Sequence, residues 1–484
     1  MKKSITKNYL YNLTSQILII IIPLILAPYL TRVLGAENLG VYSYTLSISA
    51  YFILFGTLGI SMYAKREIAY VQKDKNLVSK NFWEIIILKI ICMIISLTIF
   101  YITFANGNGQ YNIYFKILIL ELIANMIDIS WFFEGMELFK KTVLRNIIIK
   151  FISIIAIFCF VKTGQDFKIY FLIYVISMMV GNLSLWLSLP KYINKYDIKK
   201  LEFKKHLKPI LGLFIPQIAI QLYTVLDRTM IGIMIEDKSH VGFYDQSQRL
   251  IGTVLTVVTA LGGVMLPRIS NEFSEGNFKK IKEYIFKSLN FVFLLTIPII
   301  FGILLVSKYF IPLYLGDDFS SVVVLINILS LIIIFIGLSN VIGIQYLLPT
   351  KKQKWFTISV FVGAIINFIF NLILITKIGT IGACIATGLA EGMVLVTQFY
   401  LVRKDFKVLD ILKIGKNYFI SSSIMYSIIT ICNRTVLISL SDLAKCLING
   451  ILGVTIYVTF LILIKDKLVI GILNKILKRK KELK

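Results

Sequence analysis

Residues 216–249 read PQIAIQLYTVLDRTMIGIMIEDKSHVGFYDQSQR, and the pattern of polar residues in this stretch sets how the rest of the chain has to fold. Gln217, Gln221, Thr224 and Arg228 stand at i, i+4, i+7 and i+11, so a helix collects them on one face. After a short polar bend, Asp245, Arg249, Gly252, Thr256 and Thr259 repeat that spacing on the returning helix. The flanking residues are apolar enough for lipid. Two neighbouring spans with polar stripes are costly against acyl chains, and a wet cavity between helices is the cheapest place to put them.

The whole chain supports that setting. Its 484 residues are 57% hydrophobic and only 16% charged, with a mean hydropathy of +0.81, which excludes an ordinary soluble globular protein. Apolar runs of about twenty residues, the length that crosses a bilayer, predict an all-α polytopic membrane protein with about fourteen transmembrane helices. The weakest division falls between spans 11 and 12, where only Lys377 and Gly379 interrupt the apolar run. The first run is too long for a signal sequence, carries Asn12, Ser15 and Gln16, and reads as a retained span. Cys92, Cys159, Cys384, Cys432 and Cys446 stand singly, so neither a disulfide framework nor a metal site is indicated, and no cofactor is expected. His206 and His240 read as surface residues in loops.

A formal charge of +26 would suggest nucleic acid in a soluble protein, but here the basic residues alternate along the chain. With a cytoplasmic amino terminus, most of the 52 Lys and Arg residues fall in inner loops and the tail, while the outer loops hold few. That asymmetry needs an even number of spans, so both termini are expected in the cytoplasm. The basic excess is then an orientation signal helped by anionic membrane lipid, and no nucleic-acid partner is expected.

Leu39-Gly40-Val41-Tyr42 resembles Val241-Gly242-Phe243-Tyr244, Leu58-Gly59 resembles Leu261-Gly262, and Arg66 matches Arg268, all at a near-constant offset. This internal repeat predicts two pseudo-symmetric six-helix lobes of equal orientation. The expected limits are an N-lobe over 1–190, a cytoplasmic linker over 191–208, a C-lobe over 209–404, two extra helices within 405–464, and a basic cytoplasmic tail over 465–484.

Several motifs carry a family resemblance: Pro28-Tyr29-Leu30-Thr31-Arg32-Val33-Leu34-Gly35, Tyr63-Ala64-Lys65-Arg66-Glu67-Ile68-Ala69, Leu226-Asp227-Arg228-Thr229 and Gly242-Phe243-Tyr244-Asp245-Gln246-Ser247-Gln248-Arg249. Through them the chain resembles the polysaccharide (O-antigen or capsular repeat-unit) flippases of the multidrug/oligosaccharidyl-lipid/polysaccharide exporter superfamily. The resemblance implies export of undecaprenyl-pyrophosphate-linked oligosaccharide across a bacterial plasma membrane by alternating access, for surface polysaccharide biosynthesis. A polysaccharide polymerase and glycosyltransferases would share the pathway. It also implies a cationic central cavity, to which Arg32 and Arg249 are carried over.

The residues suit such a substrate. A pyrophosphate needs cations that keep their charge when partly dehydrated, and the guanidinium fork matches phosphate oxygens. Arg228 and Arg249 are level on antiparallel helices, and Arg32 can join them. Arg66 and Arg268, with Lys65, would form a second rung at the cytoplasmic mouth. Asn12, Gln217, Gln221 and Thr224 offer amides and a hydroxyl to the sugar. Plainer readings stand beside these: Asp227 can neutralise Arg228 or Arg249 as a packing pair, and Arg66 and Arg268 can be topology anchors.

Ion coupling would need acids within the membrane, and Asp227, Glu121, Asp128 and Glu391 are the candidates. Glu121, Asn125 and Asp128 share a face of span 4, while Asn146, Lys150 and Ser153 share a face of span 5. The hairpin puts Asp128 near the depth of Lys150, where a structural ion pair is the simplest reading. Glu391 has no evident partner in the sequence. The main rival function is a drug or metabolite cation antiporter of the same superfamily. A membrane enzyme is disfavoured by short outer loops and the absence of a nucleotide motif.

Overall fold

A computed structural model describes residues 5–194, 201–471 and 474, with the side chains of 5–20, 215, 216, 219, 220, 222 and 223 outside the description. The described chain is helical throughout and divides into two compact units, Met1–Gly242 and Phe243–Lys484. The first holds α1 (Ile5–Thr57), α2 (Ile60–Val71), α3 (Lys75–Phe100), α4 (Asn112–Met126), α5 (Ser130–Gly135), α6 (Phe139–Phe160), α7 (Phe167–Trp186) and α8 (Lys204–Met234). The second takes up α9 (Ser239–Ser274) from Phe243, then α10 (Phe278–Leu315), α11 (Val322–Leu329), α12 (Ile332–Asn340), α13 (Gln353–Val402), α14 (Val408–Thr435) and α15 (Asp442–Leu463).

Two of these helices are each a pair of passes. Gly35, at φ 77°, breaks α1 into two, and Ile378 with Gly379, at φ 61°, breaks α13 where the sequence showed least punctuation. Positive φ suits glycine because no Cβ opposes it. Among the described residues fourteen passes result, as the apolar runs led one to expect. Nine of the described segments are by themselves long and apolar enough to cross a membrane. Exposed side chains such as Phe151, Ile152, Ile155 and Phe160 on α6 present the apolar surface that lipid requires.

Within the first unit, α8 lies antiparallel along the second pass of α1. Phe214 meets Phe55 with ring centroids 5.7 Å apart, Thr229 Oγ1 lies 2.8 Å from Ser47 Oγ, and Gly232 seats Tyr44 so closely that an added Cβ would come 2.0 Å from the ring. Compactness thus places α8 with the first unit, beyond the 191–208 connection.

The pass begun by α4 is broken. Its 15 residues reach only about 22 Å, short of the roughly 30 Å hydrocarbon core, and the chain unwinds at Ile127–Ile129 before α5. Carbonyls freed by that break need donors. Asn182 Nδ2 donates to Ala124 O (2.7 Å), Trp186 Nε1 to Ile127 O (2.7 Å), and Lys89 Nζ to Asp128 O (2.7 Å).

In the second unit, α14 and α15 pack along α10. Tyr418 OH bonds Asn290, Tyr457 OH donates to Leu294 O at 2.9 Å, and Gly415 lets the Phe293 ring approach to 3.0 Å of where a Cβ would stand.

Candidate functional site

The stripe on α8 forms as its spacing requires. Gln217, Gln221 and Arg228 are half-buried and Thr224 is exposed, so the face is left partly uncovered by the first unit. Thr224 Oγ1 reaches the Gln221 carbonyl at 3.3 Å, and Gln217 lies over Gly59, whose φ is 72°. Adjacent Asp227 is turned inward and only 5% exposed. Arg32 is exposed on the first pass of α1, where Nη1 donates to Pro28 O at 2.8 Å. Asn12 falls outside the described side chains. In the second unit Arg249 Nε donates to Asp245 Oδ2 at 2.6 Å, with Arg249 half-exposed and Asp245 buried. One carboxylate partner of Arg249 is its own i−4 neighbour, a spacing visible in the sequence. That bond orients the guanidinium and leaves much of it accessible.

The second rung is open to solvent. Arg66 pairs with Glu67 at 3.4 Å and stacks 5.7 Å from the Tyr63 ring centroid. Lys65 pairs with Glu134 at 3.0 Å, and Arg268 is exposed on α9.

The acids separate by environment. Glu121, 5% exposed, accepts from Ser49 Oγ at 2.7 Å and from Tyr174 OH at 3.1 Å, so its carboxyl is held by hydroxyls from α1 and α7. Asp128 caps α5, accepting from Ser130 N (3.0 Å) and Ser130 Oγ (2.9 Å). It shares a cavity with Lys150, but no ion pair joins them among the described residues, because the end of α4 turns Asp128 toward Ser130. Glu391 is 7% exposed and engaged by a neighbour, which corrects the reading of it as unpartnered. A buried carboxyl without a partner would be too costly there.

Sequence reasoning missed a second polar centre. His206 is not a surface residue but 1% exposed, with Nε2 2.9 Å from Glu84 Oε2 and Nδ1 2.6 Å from Tyr63 OH. The signal was Glu84 itself, a carboxylate opening the apolar run of span 3.

Among the described residues, fourteen passes and an apolar outward surface define a multi-pass membrane protein. The chain belongs to the polysaccharide biosynthesis protein family, which matches residues 5–273. The MatE family matches residues 213–373. Among curated relatives, the "Putative O-antigen transporter" of Escherichia coli (strain K12) is 26% identical over 409 residues, 84% of this chain and 98% of the relative. The capsular polysaccharide biosynthesis protein CapF of Staphylococcus aureus is 22% identical across 83% of this chain and all of its own length. In fold, the chain is similar to the lipid II flippase MurJ in an inward closed conformation, with a TM-score of 0.68 at 21% identity, covering 96% of this chain and 100% of the other. An inward-facing multidrug transporter of the MATE family follows at a TM-score of 0.62 and 14% identity, covering 84% of this chain and 96% of the other.

Proposed function

We propose that this protein is a flippase that moves undecaprenyl-pyrophosphate-linked oligosaccharide repeat units from the inner to the outer leaflet of a bacterial plasma membrane. Two lobes, 1–190 and 209–404, alternate access in this reading, with an ion gradient driving export. The observation that carries it is the uncovered α8 stripe, where Arg228 stands above Thr224, Gln221 and Gln217. The Arg228 guanidinium takes the pyrophosphate, the amides and hydroxyl take the sugar, and the lipid tail stays in the bilayer. Glu121 is the strongest coupling candidate, since a carboxyl among hydroxyls can exchange a proton without breaking an ion pair. Transport of this kind fits the curated relatives, whose names describe O-antigen transport and capsular polysaccharide biosynthesis.

The test is complementation of a strain that lacks its own repeat-unit exporter and accumulates lipid-linked sugar on the inner leaflet. Arg228→Ala is expected to cut export by about tenfold or more, Arg228→Lys by less, since lysine keeps the charge and loses the fork. Full export by Arg228→Ala at equal abundance would remove the stripe from the mechanism.

The MatE match over 213–373 favours a second reading, export of a cationic drug or metabolite. Raised drug tolerance on expression, with no rescue of the polysaccharide defect, would establish it instead.

The orientation is tested separately. In a variant freed of native cysteines, Gly107→Cys, between α3 and α4, should react with an impermeant thiol reagent from outside. Lys354→Cys, in the first turn of α13, should react only after permeabilisation. The opposite pattern would invert the proposed topology.

A further inference from the structure

A cavity of about 470 Å³ lies inside the first unit, walled by α1, α6 and α7 and by the break after α4. Its polar wall holds two cations, Arg145 and Lys150, against one carboxylate, Asp128. Asp128 is already engaged by Ser130. Arg145 is held by neutral acceptors: Nη2 donates to Asn146 Oδ1 at 2.6 Å and Nη1 to Asn182 Oδ1 at 3.2 Å. Lys150, midway along α6 and half-buried, has no hydrogen-bond or ion-pair partner among the described residues. The Asn146 amide hydrogens are likewise unused there. Cations therefore outnumber carboxylates on this wall, and a cation at membrane depth without a counter-charge is expensive unless a ligand supplies one. The rest of the lining mixes apolar Ile22, Leu26, Ile157 and Ile173 with the hydroxyls of Ser153, Tyr170, Tyr174 and Ser177. A ligand that meets both the cations and the apolar side chains is an anion carried on a greasy tail.

We infer that this cavity binds the phosphate of an anionic lipid, with Lys150 as its direct counter-ion and the Arg145–Asn146 pair beside it. The site belongs to the first unit alone and stands whether or not the α8 stripe carries the exported sugar lipid. Two lipids share this chemistry, an acidic phospholipid and a polyprenyl phosphate, and the experiment separates them.

Purified full-length protein is titrated with phosphatidylglycerol, with polyprenyl phosphate and with zwitterionic phosphatidylcholine, and bound lipid is counted by native mass spectrometry. Wild type is expected to bind at least one of the anionic lipids about tenfold more tightly than phosphatidylcholine, and Lys150→Met to lose that preference while Lys150→Arg keeps it. Preference for phosphatidylglycerol identifies a bulk phospholipid, and preference for polyprenyl phosphate alone identifies a carrier lipid. Lys150→Met should melt no lower than wild type in lipid-free detergent, since an unpaired cation gives way to an apolar chain of similar shape. Asn146→Leu is expected to lose the same preference several-fold. Equal binding of all three lipids by wild type, unaltered selectivity in the variants, or a lower melting temperature of lipid-free Lys150→Met would each overturn the proposal.

Discussion

Replacing Gly40 by alanine is expected to abolish export and to lower the amount of folded protein in the membrane. At Gly40 an added Cβ would stand 1.7 Å from the Lys238 carbonyl oxygen, 2.5 Å from its carbonyl carbon and 3.2 Å from the Gly242 amide nitrogen. The clash is with backbone, which has no rotamer to escape into. Gly242 meets the reciprocal limit, 2.4 Å from the Ala36 carbonyl oxygen and 3.1 Å from the Gly40 nitrogen. Two glycines at matching places in the internal repeat therefore pack against one another where the bend after α8 crosses the second pass of α1. The cost of forcing them apart is about 1–3 kcal/mol, a large part of the stability of a folded chain. Melting of purified Gly40→Ala, Gly242→Ala and Gly302→Ala would separate these effects. Gly302 has nothing within 4 Å of an added Cβ, so its replacement is expected to be neutral or slightly stabilising. A Gly40→Ala protein that melts and exports like wild type would show that the contact carries no weight.

That pair also marks how far the sequence can be read. The repeat of Gly40 and Gly242 was visible as a pattern, but a pattern in one dimension does not say that the two copies touch. The division of α13 was readable because Gly379 adopts a backbone few other residues tolerate, and the α8 stripe because helical spacing alone fixes which residues share a face. Depth in a hairpin was a weaker guide. Asp128 and Lys150 do reach one cavity, yet the pairing expected from their level failed because α4 ends early and Asp128 is spent on capping α5. His206 misled for a related reason: a histidine just before an apolar run looks solvated until Glu84, 122 positions away in the chain, is brought against it. Contacts of that separation are set by packing, and the one local trace is the carboxylate of Glu84 opening an apolar run.

Replacing Glu84 by alanine is expected to have the other large effect. Its carboxylate is fully buried on α3 and serves four groups: Oε1 accepts from the Glu202 backbone N at 2.8 Å and lies 3.9 Å from Lys80 Nζ, while Oε2 accepts from Lys205 Nζ at 2.8 Å and from His206 Nε2 at 2.9 Å. With His206 Nε2 donating, Nδ1 takes the Tyr63 hydroxyl hydrogen, and the chain of bonds runs from α2 through the base of α8 into α3. Alanine would strand the buried His206 donor, at a cost of about 1–3 kcal/mol, and take the carboxylate from the partly exposed Lys205 ammonium. Glu84→Gln keeps an acceptor and the shape, so its loss should be smaller. Glu67→Ala is the control, since its pairing with Arg66 at 3.4 Å is largely solvated and worth about 0–1 kcal/mol. Because α8 carries the polar stripe in its middle and this cluster at its start, a freed base would let the stripe shift against α1. Export by Glu84→Ala should then fall further than the remaining folded protein accounts for. If Glu84→Ala and Glu67→Ala melted alike, the buried cluster would have no part in holding α8, and the register of Gln217 to Arg228 would rest on contacts with α1 such as Phe55–Phe214, Ser47–Thr229 and Tyr44–Gly232.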